Sequence, residues 1–132
     1  MKKLLILIII IFPLMLISQE GPAKAEVTPS ENDTTRYELI ISEPGFDIWF
    51  ATHRKPQWYY EHEYYRTYND LYSRAWNRRL TAPEYDFPYD YPINYDKQIN
   101  YGIELDYRLY WFFRFMEDKY NLDLVSFDRP GK

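Results

Sequence analysis

The sequence predicts an α+β fold: a small two-stranded sheet packed by two long amphipathic helices, with an extended tyrosine- and proline-rich arm between them. Three observations carry this prediction. Apolar residues recur at helical spacing in two long stretches, a strict two-residue alternation fills the segment between them, and short β-prone runs flank the whole.

The N-terminus of the 132-residue chain reads as an export signal. Lys2 and Lys3 precede an uncharged, aliphatic run from Leu4 to Ile17, interrupted only by Pro13. As a helix this run spans ~21 Å, short of the ~30 Å hydrocarbon core of a bilayer. Ala23-Lys24-Ala25 then supplies a small-residue cleavage motif before Glu26, with Ser18 an earlier alternative. Residues 1–25 are therefore expected to be a signal peptide and the protein to be exported, to the periplasm or beyond the cell. The alternative is an uncleaved anchor in the inner membrane, which would be the chain's only contact with a membrane. The chain has no cysteine, so it lacks the lipid-bearing residue of a bacterial lipoprotein.

Residues 26–35 are polar, contain Pro29 and read as a flexible leader. Arg36 to Ser42 is β-prone and bounded by Glu43-Pro44-Gly45, so it is the predicted first strand. Phe46 to Thr52 alternates at 46, 48 and 50, but the spacing of Phe46, Trp49 and Phe50 and the preceding Pro-Gly favour a short helix. From Trp58 to Arg79, apolar residues recur at 60, 64, 68, 71, 72, 75 and 76, opposite a face carrying Glu61, His62, Arg66 and Asp70. This predicts an amphipathic helix with a tyrosine stripe, with Pro56 near its start and Thr81-Ala82-Pro83 at its stop.

Positions 85, 87, 89, 91, 93 and 95 are Tyr, Phe, Tyr, Tyr, Ile and Tyr, separated by Asp86, Pro88, Asp90, Pro92 and Asn94. Two prolines exclude a central strand. The expectation is an extended arm with one aromatic face on the helices and Asp86 and Asp90 toward solvent. The last helix is predicted over Tyr101 to Tyr120, capped by Asn100, with Glu104 in its first turns and Asn121 at its end. It is apolar most of the way round, which predicts a central position. Leu122 to Phe127 reads as a second strand, pairing with the first. The domain is thus residues 36–127, followed by a tail at 128–132.

Composition narrows the chemistry. Removing Lys2, Lys3, Lys24 and Glu20 with the signal takes the formal charge from −4 to −6, and no basic stripe remains for a nucleic acid. The lack of cysteine excludes disulfides, thiolate catalysis and cysteine-ligated metal sites. All 15 tyrosines, all four tryptophans and seven of the eight phenylalanines follow residue 25, so the core must be largely aromatic.

The blocks EPGFDIWFAT (43–52), Trp58-Tyr59-Tyr60, AWNRR (75–79), INYGIELDYRLYWFF (99–113) and Lys119-Tyr120 resemble, in letters and spacing, a family of small exported proteins from Bacteroidetes-type bacteria, defined as a domain of unknown function. The resemblance covers Tyr37 to Val125. It implies export and an α+β domain, and it carries no activity and no catalytic or binding residues.

No nucleophile elbow, phosphate loop or zinc motif is present, and no cofactor is expected. His62, between Glu61 and Glu63, reads as part of a solvated helix surface, and with His53 falls short of a metal site. Asp86, Asp90, Asn94 and Asp96 are too spread in an extended arm for one calcium ion. Arg78, Arg79, Glu104, Asp106 and Arg108 read as a structural charge network between the two helices. Trp58, Tyr59, Tyr65, Tyr89 and Tyr91 are the candidate binding residues, because the helix and arm patterns do not turn them all inward. The expected role is a non-enzymatic envelope protein that binds a protein or glycan partner through aromatic surface. The alternative is a small hydrolase using Glu104 or Asp106 with an arginine.

Overall fold

A computed structural model of the protein describes residues 24–30, 36–85, 88–89 and 91–125. The expected signal up to residue 23, the tail, the arm positions Asp86, Phe87 and Asp90, and Ser126 and Phe127 lie outside the described residues. The elements are strands β1 (Ala25–Pro29) and β2 (Tyr37–Ile41) and helices α1 (Phe46–His53), α2 (His62–Thr81) and α3 (Ile103–Tyr120). The fold class is the predicted one, α+β, with one two-stranded sheet among the described residues.

The partner of the first predicted strand is not the expected one. β1, drawn from the last residue of the expected signal and the first four of the segment read as a leader, pairs antiparallel with β2, Ala25 opposite Ile41 and Pro29 opposite Tyr37. The Ser42 N–H donates to the Lys24 carbonyl at 2.8 Å and extends the ladder. Residues 122–125 form no strand. Asn121 takes a left-handed conformation (φ 52°) at the end of α3, and Leu122 N–H returns to Glu117 O at 2.9 Å. The Leu124 N–H then donates to Glu117 Oε2 at 3.1 Å. The last turn of α3 thus uses up the backbone donors that a strand would need.

Glu43 ties the corner after β2 to the far end of α3. Its buried carboxylate accepts bonds from Lys119 Nζ at 2.5 Å and Tyr120 OH at 2.7 Å. Gly45 sits at φ 86°, which a residue with a Cβ adopts at a cost, and starts α1 there. Phe46 and Phe50 of α1 are buried, and the Trp49 indole donates to Asp118 at 2.9 Å.

α2 and α3 run in the same direction. Tyr65 meets Tyr107 and Tyr110, Tyr72 stacks on Phe113 at 4.9 Å, and Arg79 reaches the Asp123 carbonyl at 2.7 Å. A 20-residue helix is ~30 Å long, so the connection must travel back along α2. The arm does this. Trp76 Nε1 donates to Tyr91 O at 2.8 Å, Asn77 exchanges two bonds with Ile93, and Lys97 Nζ reaches Thr67 at 3.2 Å. Those bonds also undo the predicted alternation. Tyr89 and Ile93 are buried, but Tyr85 and Tyr91 are 41% and 42% exposed. Trp76 engages the carbonyl of Tyr91, so that residue offers α2 its backbone and not its ring.

α3 is the central helix, with eleven of its 18 residues buried. It starts at Ile103 and not at Tyr101. Asn100 Oδ1 accepts the Gly102 N–H at 3.2 Å, closing the preceding turn, and Gly102 itself (φ 89°) stands at the cap position.

Candidate binding surface

Pro56 decides where α2 cannot start. The chain leaves α1 through Arg54, Lys55 and Pro56, and Gln57–Tyr59 forms one 3-10 turn closed by Tyr59 N–H on Pro56 O at 2.9 Å. Tyr60 is extended, and α2 begins only at His62. Trp58 and Tyr59 therefore lie off the helix predicted to contain them, and free of its buried stripe.

The loop is held from beneath by two tyrosines. The Tyr65 hydroxyl donates to Gln57 O at 2.9 Å, and the Tyr107 hydroxyl donates to Lys55 O at 2.5 Å. Burial pushes the Tyr65 hydroxyl up to about 12 and raises that of Tyr107 as well, so both stay protonated donors at neutral pH. On this support Trp58 is 80% exposed and Tyr59 46% exposed. Their ring centroids lie 6.4 Å apart with planes inclined by 47°. Lys55 Nζ stands 5.7 Å from the Tyr59 ring, and the Arg54 guanidinium lies 4.7 Å over Phe50. Among the described residues neither cation forms an ion pair.

The other expected binding residues do not join this surface. Tyr65 is fully buried and serves as a support of the loop. Tyr89 is buried edge-on against Trp76, and its hydroxyl accepts Arg79 Nη1 at 2.7 Å. Tyr91 is exposed, with Lys24 Nζ 5.2 Å from its ring, but it sits beside Trp76, well along α2 from the loop.

The five residues expected to form a charge network are scattered. Arg79 binds Tyr89 and a backbone carbonyl, Arg108 pairs with Asp47 at 3.0 Å, and Arg78 and Glu104 are exposed. The cause is helix direction. With α2 and α3 parallel, the arginines at the end of α2 lie far from the acids at the start of α3. Asp106 is fully buried and meets His62 instead, Nε2 to Oδ2 at 2.6 Å, while Tyr95 OH donates to its Oδ1 at 2.8 Å. His62 is thus no mere surface residue. Sequence spacing carries no sign of this pair, which depends on the parallel arrangement. Burial and the Asp106 hydrogen bond hold the Tyr95 hydroxyl well above the ordinary tyrosine range.

These groups offer no convergent acid–base pair. Glu104 and Asp106 stand two residues apart on a helix, ~200° around its axis, and both oxygens of Asp106 are already engaged. A polar cleft of about 550 Å³ beside Tyr95 is lined by charges that satisfy one another: Arg66 with Glu63 at 3.0 Å, Lys97 with Glu63 at 3.1 Å, and Arg74 with Asp70 at 3.2 Å. The Lys97 hydrogen bond lowers the Glu63 carboxyl below its usual value. Among the described residues no group of three or more His, Cys, Asp or Glu is placed to hold a metal ion. Nor is any helix among them long and apolar enough to cross a membrane.

A family model described as "Family of unknown function (DUF6146)" matches residues 4–130 of the chain. No curated protein and no solved structure matches.

Proposed function

The chain belongs to this family of unknown function, and from that premise we propose that it is an exported, non-enzymatic envelope protein that binds a protein or glycan partner through the surface at Trp58 and Tyr59. The observation that carries the proposal is a tryptophan 80% exposed on a loop whose backbone is pinned by two buried tyrosines. Rigid aromatic side chains contribute large contact area at low entropic cost, and they anchor interfaces when a partner desolvates them. Export rests on Lys2, Lys3 and the aliphatic run Leu4 to Ile17; cleavage at the earlier position, Ser18, leaves Lys24 and Ala25 in the β1–β2 ladder, and the proposed address of the surface is the periplasm or the cell exterior.

Affinity capture from the native envelope tests the reading. The intact protein is expected to retain a partner that a Trp58→Ala/Tyr59→Ala variant loses. Identical capture by both would remove this surface from the function. Cell fractionation with intact-mass measurement checks export separately, since a cytoplasmic chain that keeps residue 1 would defeat it.

A further inference from the structure

We propose that the ligand class of the Trp58–Tyr59 surface is an acidic glycan, a polysaccharide strand carrying uronate or similar anionic groups. This rests on the binding reading above and narrows it.

Charge gives the first argument. The chain is acidic overall, with a formal charge of −4 that becomes more negative once the signal is lost, so an anionic strand can engage it only where cations are locally free of carboxylates. Arg66, Arg74 and Arg108 each stand within 3.2 Å of a carboxylate oxygen. Arg54 and Lys55 make no such pair among the described residues: Lys55 Nζ stands 5.7 Å from the Tyr59 ring, the Arg54 guanidinium lies over Phe50 at the end of α1, and both precede the 80% exposed Trp58. Cations left unsatisfied beside an aromatic surface complement a ligand that offers anionic groups and apolar faces together. A uronate polymer does both. Its sugar rings present C–H faces for stacking, and its carboxylates accept charge-assisted bonds from guanidinium and ammonium.

Geometry gives the second. The Trp58 and Tyr59 centroids are 6.4 Å apart, and their planes differ by 47°. Successive rings of a polysaccharide are likewise close neighbours, and their faces rotate from one to the next. Two aromatic rings so placed can each take one sugar.

The surroundings disfavour the other anionic surface, a bilayer. Glu61, exposed, follows the loop two residues after Tyr59, and Glu63, 60% exposed, lies in the first turn of α2. A flat anionic membrane would press on these acids as well as on the cations, whereas a single strand follows the cations and bypasses the acids.

The test uses the full exported protein and two probes with one backbone, polygalacturonate and its methyl ester. Binding is read from tryptophan fluorescence and from retardation in affinity electrophoresis. Polygalacturonate is expected to bind at least about tenfold more tightly than the ester, with affinity falling as salt rises. Arg54→Gln/Lys55→Gln is expected to abolish that preference, and Trp58→Ala to abolish binding to both. Circular dichroism and thermal melting confirm that the variants fold. Equal binding of acid and ester overturns the acidic-glycan inference and leaves aromatic binding standing. Binding to anionic phospholipid vesicles without binding to polygalacturonate overturns it too, as does an envelope protein that polygalacturonate fails to displace. Wild-type affinity in Trp58→Ala overturns both this inference and the proposed function.

Discussion

The aromatic residues between α2 and α3 and those on the loop before α2 are the same chemical material in opposite settings. Tyr65, Tyr72 and Tyr110 are fully buried, and each hydroxyl has a partner: Gln57 O at 2.9 Å, Glu117 Oε1 at 2.9 Å, and Arg114 Nη1 at 2.9 Å. Trp58 and Tyr59 belong to a 3-10 turn with no helix face to join, and they stand in solvent. A tyrosine can fill a core when the interior supplies an acceptor or donor for its oxygen. Where the backbone leaves the helix, the same kind of ring becomes surface. Abundance of aromatics therefore does not separate buried from exposed rings in this chain, and the position of Pro56 does.

The largest way to break the interior and spare the loop is alkali. Burial raises the hydroxyls of Tyr64, Tyr65 and Tyr95 above the ordinary value of about 10. The unfolded chain thus releases these protons first. Their contribution to stability is complete below about pH 10 and is lost as pH rises through the folded-state values. Cooperative unfolding is expected above pH 10, with tyrosinate absorbance and helical ellipticity changing together. Tyrosinate forming fully while ellipticity persists would contradict it.

Trp76→Ala is next. Trp76 is buried against Tyr89 and Phe113, and its loss is expected to cost about 3–5 kcal/mol in urea unfolding. His62→Ala removes the donor to buried Asp106 Oδ2 and is expected to cost about 2 kcal/mol by the same measurement. Trp58→Ala is the smallest in stability, within about 0.5 kcal/mol, because the side chain is mostly in water already. A large stability loss there would mean that the loop is core and not contact surface.

The helices α2 and α3 are legible because each carries its own periodicity, and α1, whose spacing fits strand and helix alike, because Pro44-Gly45 enters it. The relative direction of α2 and α3 is not, since a buried stripe looks alike whichever way its partner runs. That one unknown separates Arg78 and Arg79 from the acids at the start of α3 and brings His62 to Asp106, whereas Arg108 leaves the expected network for Asp47 of α1. The sheet partner had a faint sign in the alternation of Ala25 and Val27, masked by the polar residues around them and by Pro29. Of the five binding candidates, Trp58 and Tyr59 are grouped in space because they are neighbours in sequence. Tyr65 and Tyr89 are buried because their hydroxyls meet backbone and arginine that no linear pattern brings near.

The parallel course of α2 and α3 also governs how the chain can fold. Two helices joined by a short turn zip together from that turn, at small loop-closure cost. Here the first contacts between α2 and α3 must enclose a 21-residue connection, which itself docks on α2 in reverse order. Native contacts are therefore distant in sequence even though the domain is mostly helical. Its folding is expected to be slower than that of a helical hairpin of the same size, with the arm's docking closing the pathway.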